Sequence, residues 1–137
     1  MNDLTKLEYY LQEYIFPDLK KGRPGWDLEH TKAVVHYTKL LAKVYSKNEV
    51  DEVVLMVAAY AHDWGYTDLY EMDEATLDNI RDKKALHMER GAEKIEHLLK
   101  DRVDLSDRQK ERIIHLVRVH DKVEDLEATD ELVLMEA

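Results

Sequence analysis

Residues 53–65 read VVLMVAAYAHDWG, and this stretch decides the fold. Its apolar run has almost no polar face, so we expect a helix from about residue 50 to residue 62 that is buried on most sides. Gly65 then breaks the helical pattern. His62 and Asp63 are therefore predicted to lie at the end of a buried helix. A carboxylate near the negative end of a helix dipole is unfavourable without a cation nearby, so the position of Asp63 favours a bound positive charge.

The sequence on either side of this stretch predicts further helices. Apolar residues recur at spacings of three and four, and only 4 Gly and 2 Pro interrupt the 137 residues, which is typical of an all-α protein. We expect a single domain, residues 1–137, folded as a bundle of about five to seven helices. Pro17 is expected to end the first helix, and Ser106 to open a later one as part of a capping box. The predicted helices cover residues 4–16, 27–47, 50–62, 86–101, 106–120 and 132–137, with a turn-rich loop at residues 20–25 and a longer loop, with room for one short helix, at residues 67–84.

Composition excludes several classes of protein. Asp and Glu number 30 against 20 Lys and Arg, giving a net charge of −10 at pH 7 with histidine neutral. Such a chain repels phosphate backbones and anionic lipids, so neither duplex nucleic acid nor a membrane is an expected partner. There is no cysteine, hence no disulfide, thiolate nucleophile or cysteine-ligated metal. The N-terminus lacks the apolar segment of a secretory signal, so we expect a cytoplasmic protein.

Four of the seven histidines are predicted to point inward, because each shares a helix face with apolar residues. These are His30, His62, His87 and His120. Taken singly, an inward histidine is most often a core residue that donates to a backbone carbonyl. Four on separate helices favour a shared metal ion, which satisfies several imidazole nitrogens at once. The remaining three, which lie among charged residues and are expected at the solvated surface, are His36, His97 and His115.

These residues resemble the HD-domain superfamily of metal-dependent phosphohydrolases. Residues 26–31, WDLEHT, look like the helix that carries the family's first histidine, and residues 58–66, AAYAHDWGY, look like the His-Asp motif that names the family. Residues 87–92, HMERGA, are similar to the third element, and His120 after two isoleucines resembles the fourth. The resemblance covers the chain from about residue 27 to residue 137. Its motifs are specific for the superfamily and not for a substrate.

The resemblance implies a metal centre and a reaction. His30, His62 and Asp63 would hold a divalent cation, and His87 and His120 would contact a second ion or the substrate phosphate, or act as general acid to the leaving group. The candidate metal ligands are thus all five residues, and the candidate catalytic residues are Asp63, His87 and His120. Nitrogen and oxygen donors without thiolate suit Mn, Fe, Ni, Zn or Mg. The cation would polarise a phosphoryl oxygen of a nucleotide or another phosphate ester.

Three further residues are candidate substrate contacts. Arg90 and Lys122 follow two of the histidines closely and can offset phosphate charge in this acidic chain, although each is more often a solvated surface cation. Tyr66 and Trp64 flank the His-Asp pair and can offer a base-stacking surface, although most such rings pack the core. We expect the partner to be a small phosphate ester or nucleotide, and self-association into a homodimer stays open.

Two alternatives to an active enzyme remain open. The family's pattern closes with a metal-ligating aspartate on a late helix. Here that residue would follow Ala137, where the chain stops inside a predicted helix, and Asp130 lies two turns too early. An incomplete ligand set favours an HD-type module that binds metal and nucleotide with weak turnover or none. The other alternative is a helical interaction protein whose inward histidines are only core polar groups. Its lack of bound metal would distinguish it from both the active enzyme and the metal-binding module.

Overall fold

The computed structural model describes residues 3–21, 26–45, 50–68, 80–122, 124 and 126–136. Within these residues the chain forms six α-helices and one short 3₁₀ helix, with no strand, which confirms the all-α prediction. The helices are α1 (Asp3–Lys20), α2 (Asp27–Ala42), α3 (Glu52–Ala61), α4 (Ile80–Leu99), α5 (Asp107–Val119) and α6 (Thr129–Glu136), and the 3₁₀ helix (Trp64–Asp68) follows α3. In this described part of the chain, no helix has the length and apolarity that a membrane crossing requires.

The central element is α3. All residues from 54 to 61 are buried, and the helix contacts each of the other five. The Asp51 carboxylate caps its start by accepting from the backbone N–H groups of Val53 and Val54, which would otherwise lack a partner. The predicted buried helix is therefore confirmed. Its C-terminal end delivers His62 and Asp63 to the interior of the bundle.

The first helix is longer than its sequence predicts. Pro17 lies inside α1, which continues to Lys20. The stripe formed by Leu7, Leu11 and Ile15 extends one turn further to Leu19, which is also buried. Burial of that side chain offsets part of the cost of the missing proline N–H. Pro17 itself is exposed, and the prediction that it ends the helix is wrong.

Two other helix boundaries differ from the prediction. The second helix ends at Ala42 rather than near residue 47, and in the turn that follows Val44 is 78% exposed. The fourth helix begins at Ile80 rather than near residue 86, so residues 80–84 are helical and not part of a loop. Arg and Lys in this segment are good helix formers, and neither Gly nor Pro interrupts it. The predicted loops at residues 22–25 and 69–79 lie outside the described residues.

Glycine allows the 3₁₀ helix to pack directly on α4. A Cβ atom built on Gly65 would lie 1.9 Å from the carbonyl oxygen of His87 and 2.7 Å from the backbone nitrogen of Gly91. Real Cβ atoms do not approach backbone atoms so closely, so the contact requires a residue without a side chain. This close approach holds His87 of α4 beside the end of α3.

Candidate metal centre

The five predicted ligands meet in one place, and four elements supply them. His62 is the residue that caps the C-terminus of α3, and Asp63 follows it. His120 has the same position at the end of α5, which packs against α3. His30 comes from the start of α2 and His87 from α4. The structure therefore brings these five side chains together, although His30, which was expected to point inward, is 35% exposed.

The first donor group consists of His30, His62 and Asp63. The Nε2 atoms of the two histidines are 3.5 Å apart. Oδ2 of Asp63 lies 3.4 Å from Nε2 of His30 and 3.2 Å from Nε2 of His62. One nitrogen from each ring and one carboxylate oxygen thus surround a common point.

The second donor group consists of Asp63, His87, His120 and Asp121. The two histidine Nε2 atoms are 3.3 Å apart. Oδ1 of Asp63 lies 3.6 and 3.7 Å from them, and Oδ2 of Asp121 lies 3.4 and 3.5 Å from them. Asp63 therefore turns one carboxylate oxygen toward each donor group, in the manner of a bridging ligand.

Backbone carbonyls fix the protonation of two of these imidazoles. Nδ1 of His62 lies 2.6 Å from the Ala59 carbonyl, and Nδ1 of His120 lies 2.7 Å from the Val117 carbonyl. A carbonyl oxygen only accepts, so Nδ1 carries a proton in both rings, and Nε2 presents a lone pair when the ring is neutral. These lone pairs face other imidazole nitrogens and carboxylates. Such an arrangement is favourable when a positive charge lies between them, and the donor set fits a divalent cation.

The pKa shifts of His62 and Asp63, at the end of α3, also indicate that positive charge is favoured beside the Asp63 carboxylate. Burial alone would lower the pKa of His62, but the charge of Asp63 and its hydrogen bond raise the pKa above its ordinary value. Burial alone would raise the pKa of Asp63, but the charge of His62 and the hydrogen bonds from surrounding imidazoles hold the pKa well below its usual range. The carboxylate is therefore ionised and surrounded by groups that favour its charge.

The centre is closed on one side and open on the other. Side-chain exposure is 10% or less for Asp63, His62, His87 and His120, whereas it is 35% for His30 and 36% for Asp121. Solvent therefore reaches the donors at His30 and at Asp121. A separate cleft of about 830 Å³ lies at the starts of α3 and α5, and none of the donor residues lines it.

The candidate substrate contacts occupy different positions around the centre. Tyr66 stacks on the imidazole of His87, with ring centroids 3.7 Å apart and planes 8° apart. Arg90 and Lys122 are exposed. Trp64 is buried and donates its indole N–H to Asp18 of α1, so it packs the bundle and offers no stacking surface at the centre.

The three histidines predicted at the surface do not all behave alike. His36 and His97 are exposed, as predicted. His115 is only partly exposed, and its Nε2 lies 2.5 Å from Oε2 of Glu131, a side chain that is 9% exposed. The prediction missed this contact because Glu131 belongs to α6, and only the tertiary fold brings it to α5.

Asp121 is the residue that sequence reasoning missed. The signal was present as a second His-Asp pair, His120-Asp121, at the end of an amphipathic helix. It repeats the arrangement of His62-Asp63 at the end of α3. Asp130, the carboxylate weighed as the nearest substitute for a closing aspartate, instead forms a two-pronged ion pair with Arg112 at 2.6 and 2.7 Å.

Comparison with known proteins gives a family. A family model described as HD domain matches residues 27–136, from the first residue of α2 to the last residue of α6. A search of curated proteins and a search of solved structures each gave no match.

Proposed function

This chain belongs to the HD-domain family, whose members are generally metal-dependent phosphohydrolases, and we propose that it hydrolyses a small phosphate ester such as a nucleotide. The observation that carries the proposal is the position of Asp63, which turns one oxygen toward each of two imidazole pairs. A buried carboxylate surrounded by imidazole nitrogens is a donor set that suits divalent cations, and this supports the proposal.

The proposed ligands follow from the two donor groups. His30, His62 and Asp63 hold one cation, and Asp63 with the other three donors holds a second. Mn, Fe, Ni, Zn and Mg all suit such oxygen and nitrogen donors. When bound, a divalent cation supplies polarisation of a phosphoryl oxygen and a lowered pKa for water. The Nε2 atoms of His87 and His120 face carboxylates, an arrangement that suits ligands of a shared cation and, in the protonated ring, a general acid.

The protein itself orients the donors and excludes water from the closed side. The Ala59 and Val117 carbonyls hold two rings with Nε2 directed inward, and stacked Tyr66 restrains a third. Preorganised donors of this kind lose little entropy when the cation and substrate bind. The substrate phosphate approaches from the side of His30 and Asp121, where the exposed cations of Arg90 and Lys122 are candidates to offset its charge.

An activity screen with added cations tests the proposal. Purified protein is loaded in turn with Mn, Mg, Zn, Fe or Ni and given nucleoside mono-, di- and triphosphates and base-free phosphate esters. We expect cation-dependent release of phosphate or pyrophosphate, lost in His62→Ala and retained in His97→Ala, since the latter histidine is exposed on the surface. Bound cations without turnover of any substrate would contradict hydrolysis and leave a metal-binding module. Equal activity of the two variants would contradict the assignment of the centre.

A further inference from the structure

Trp26 places a large aromatic ring at the open side of the centre. Its indole lies parallel to the His30 imidazole, with ring centroids 5.4 Å apart and planes 9° apart. The residue is 53% exposed, whereas the second tryptophan, Trp64, is 6% exposed and hydrogen-bonded to Asp18. More than half of the Trp26 surface therefore stays in contact with solvent. The result is an aromatic surface beside a metal-donor histidine.

The first turn of α2 fixes this ring relative to the centre. Trp26 immediately precedes the helix, and the His30 N–H donates to the Trp26 carbonyl at 2.7 Å. Residues four apart lie on the same helix face. The intervening Asp27 is fully buried, which holds this end of α2 against the bundle. A flat molecule that stacks on the indole therefore lies next to the donors of the first group.

The charge of the chain adds a reason for such a contact. At a net charge of −10, the protein repels anions at long range. Affinity for a phosphate ester therefore has to come from bound cations and from contacts that do not depend on charge. Stacking of a nucleobase on an aromatic side chain is a contact of this kind, and it contributes about tenfold or more in affinity.

We infer that Trp26 is the stacking surface for the base of a nucleotide whose phosphate lies at the donor groups. The inference rests on the proposed function and narrows its substrate from phosphate esters in general to nucleotides. The pentose provides the spacer between the stacked base and the phosphate. Exposed Trp26, rather than Tyr66 or buried Trp64, is then the residue that distinguishes a nucleotide from a base-free ester.

The test compares two substrates that differ only in the base. Adenosine 5′-monophosphate and ribose 5-phosphate are given to the cation-loaded wild type and to Trp26→Ala and Trp26→Phe. We expect Trp26→Ala to raise KM for the nucleotide about tenfold and leave KM for ribose 5-phosphate unchanged. Trp26→Phe retains a stacking ring and should restore most of the loss. Tyr37→Ala serves as the matched control, because Tyr37 lies on the same helix and is also 53% exposed, and it should change neither KM.

A binding measurement keeps this inference separate from the proposed function. Adenosine 5′-O-thiomonophosphate is titrated into the cation-loaded protein while tryptophan fluorescence is recorded. We expect quenching in the wild type that is absent in Trp26→Phe, whether or not any substrate is hydrolysed. Equal loss of both substrates in Trp26→Ala, or quenching that persists in Trp26→Phe, would overturn the stacking role. Absence of hydrolysis with quenching intact would overturn only the proposed reaction.

Discussion

Asp121 gives the second donor group a carboxylate of its own in addition to the shared Asp63. Its carboxylate lies within 3.5 Å of both histidines of the second donor group and is the most exposed of the donors there. Without it, that group has one carboxylate, Asp63, which also serves the first group. Asp121 would thus add a second negative charge to the donors that surround the proposed cations.

We expect Asp121→Asn to weaken cation binding at the second group selectively. The amide keeps the shape of the carboxylate but removes its charge, so affinity for one of two cations should fall by more than about tenfold. Titration calorimetry with Mn measures this, with Asp101→Asn, an exposed aspartate on the surface, as the control. An unchanged binding curve for Asp121→Asn would show that the carboxylate is not a ligand.

At the scale of the elements, the centre depends on how closely the 3₁₀ helix approaches α4. Gly65 meets the backbone of α4, whereas the nearest atom to a Cβ on Gly91 is Cγ1 of Val117 at 3.1 Å. The first contact is with a carbonyl group that cannot move without moving the helix. The second is with the end of a side chain that can adjust. A side chain is therefore tolerated less well at Gly65 than at Gly91, although both glycines lie in the same interface.

Gly65→Ala should displace α4 and with it His87. We expect a loss of about 3 kcal/mol or more in the free energy of unfolding, against about 1 kcal/mol for Gly91→Ala. Urea denaturation measures both, and Mn titration should show weaker binding at the second donor group only for Gly65→Ala. Similar losses for the two variants would contradict the backbone contact.

The helices and the inward histidines were predictable because apolar periodicity is a local property of the sequence. The helical face of His120, for example, follows from the apolar residues three, four and seven positions before it, all of which are buried. The end of α1 was not predictable, since tertiary burial of Leu19 overrode the break signal of Pro17. The start of α4 was missed because residues 80–85 show little apolar periodicity, although most of them have good helix propensity. The Glu131–His115 pair was missed because it depends on a contact between two separate helices, whereas Asp121 was missed although the local His-Asp signal was present.

At the scale of the whole molecule, α6 is held to α5 by buried charge rather than by a long apolar face. Glu131 accepts from His115 and from the backbone N–H groups of Glu127 and Ala128, and its neighbour Asp130 pairs with Arg112. Burial alone would raise the pKa of Glu131, but these hydrogen bonds lower the pKa to about 2. The ionised carboxylate is therefore the form that stabilises the fold.

The stability that Glu131 contributes should depend on pH. Because its pKa in the folded chain, about 2, lies below the ordinary 4.5, the contribution is complete above pH 4.5 and is lost as the pH falls toward 2. We expect Glu131→Gln to cost about 2 kcal/mol at pH 7. The difference from wild type should shrink at pH 3, as measured by urea denaturation at both values.

Glu96→Gln, a change at an exposed position of α4, is the control and should have little effect at either pH. A Glu131→Gln penalty that is the same at pH 7 and pH 3 would show that the carboxylate acts through its shape and not through its charge.

Metal content tests the central claim, that four imidazoles and two carboxylates from separate helices hold divalent cations. The purified chain is loaded with Mn, freed of excess and submitted to elemental analysis and thermal denaturation. We predict between about one and two ions per chain in the wild type and in His97→Ala, a marked loss in Asp63→Asn, and a lower Tm after chelation, because an ion bound only by the folded chain stabilises it. Fewer than about 0.2 ions per wild-type chain, with a Tm that chelation leaves unchanged, would contradict the account.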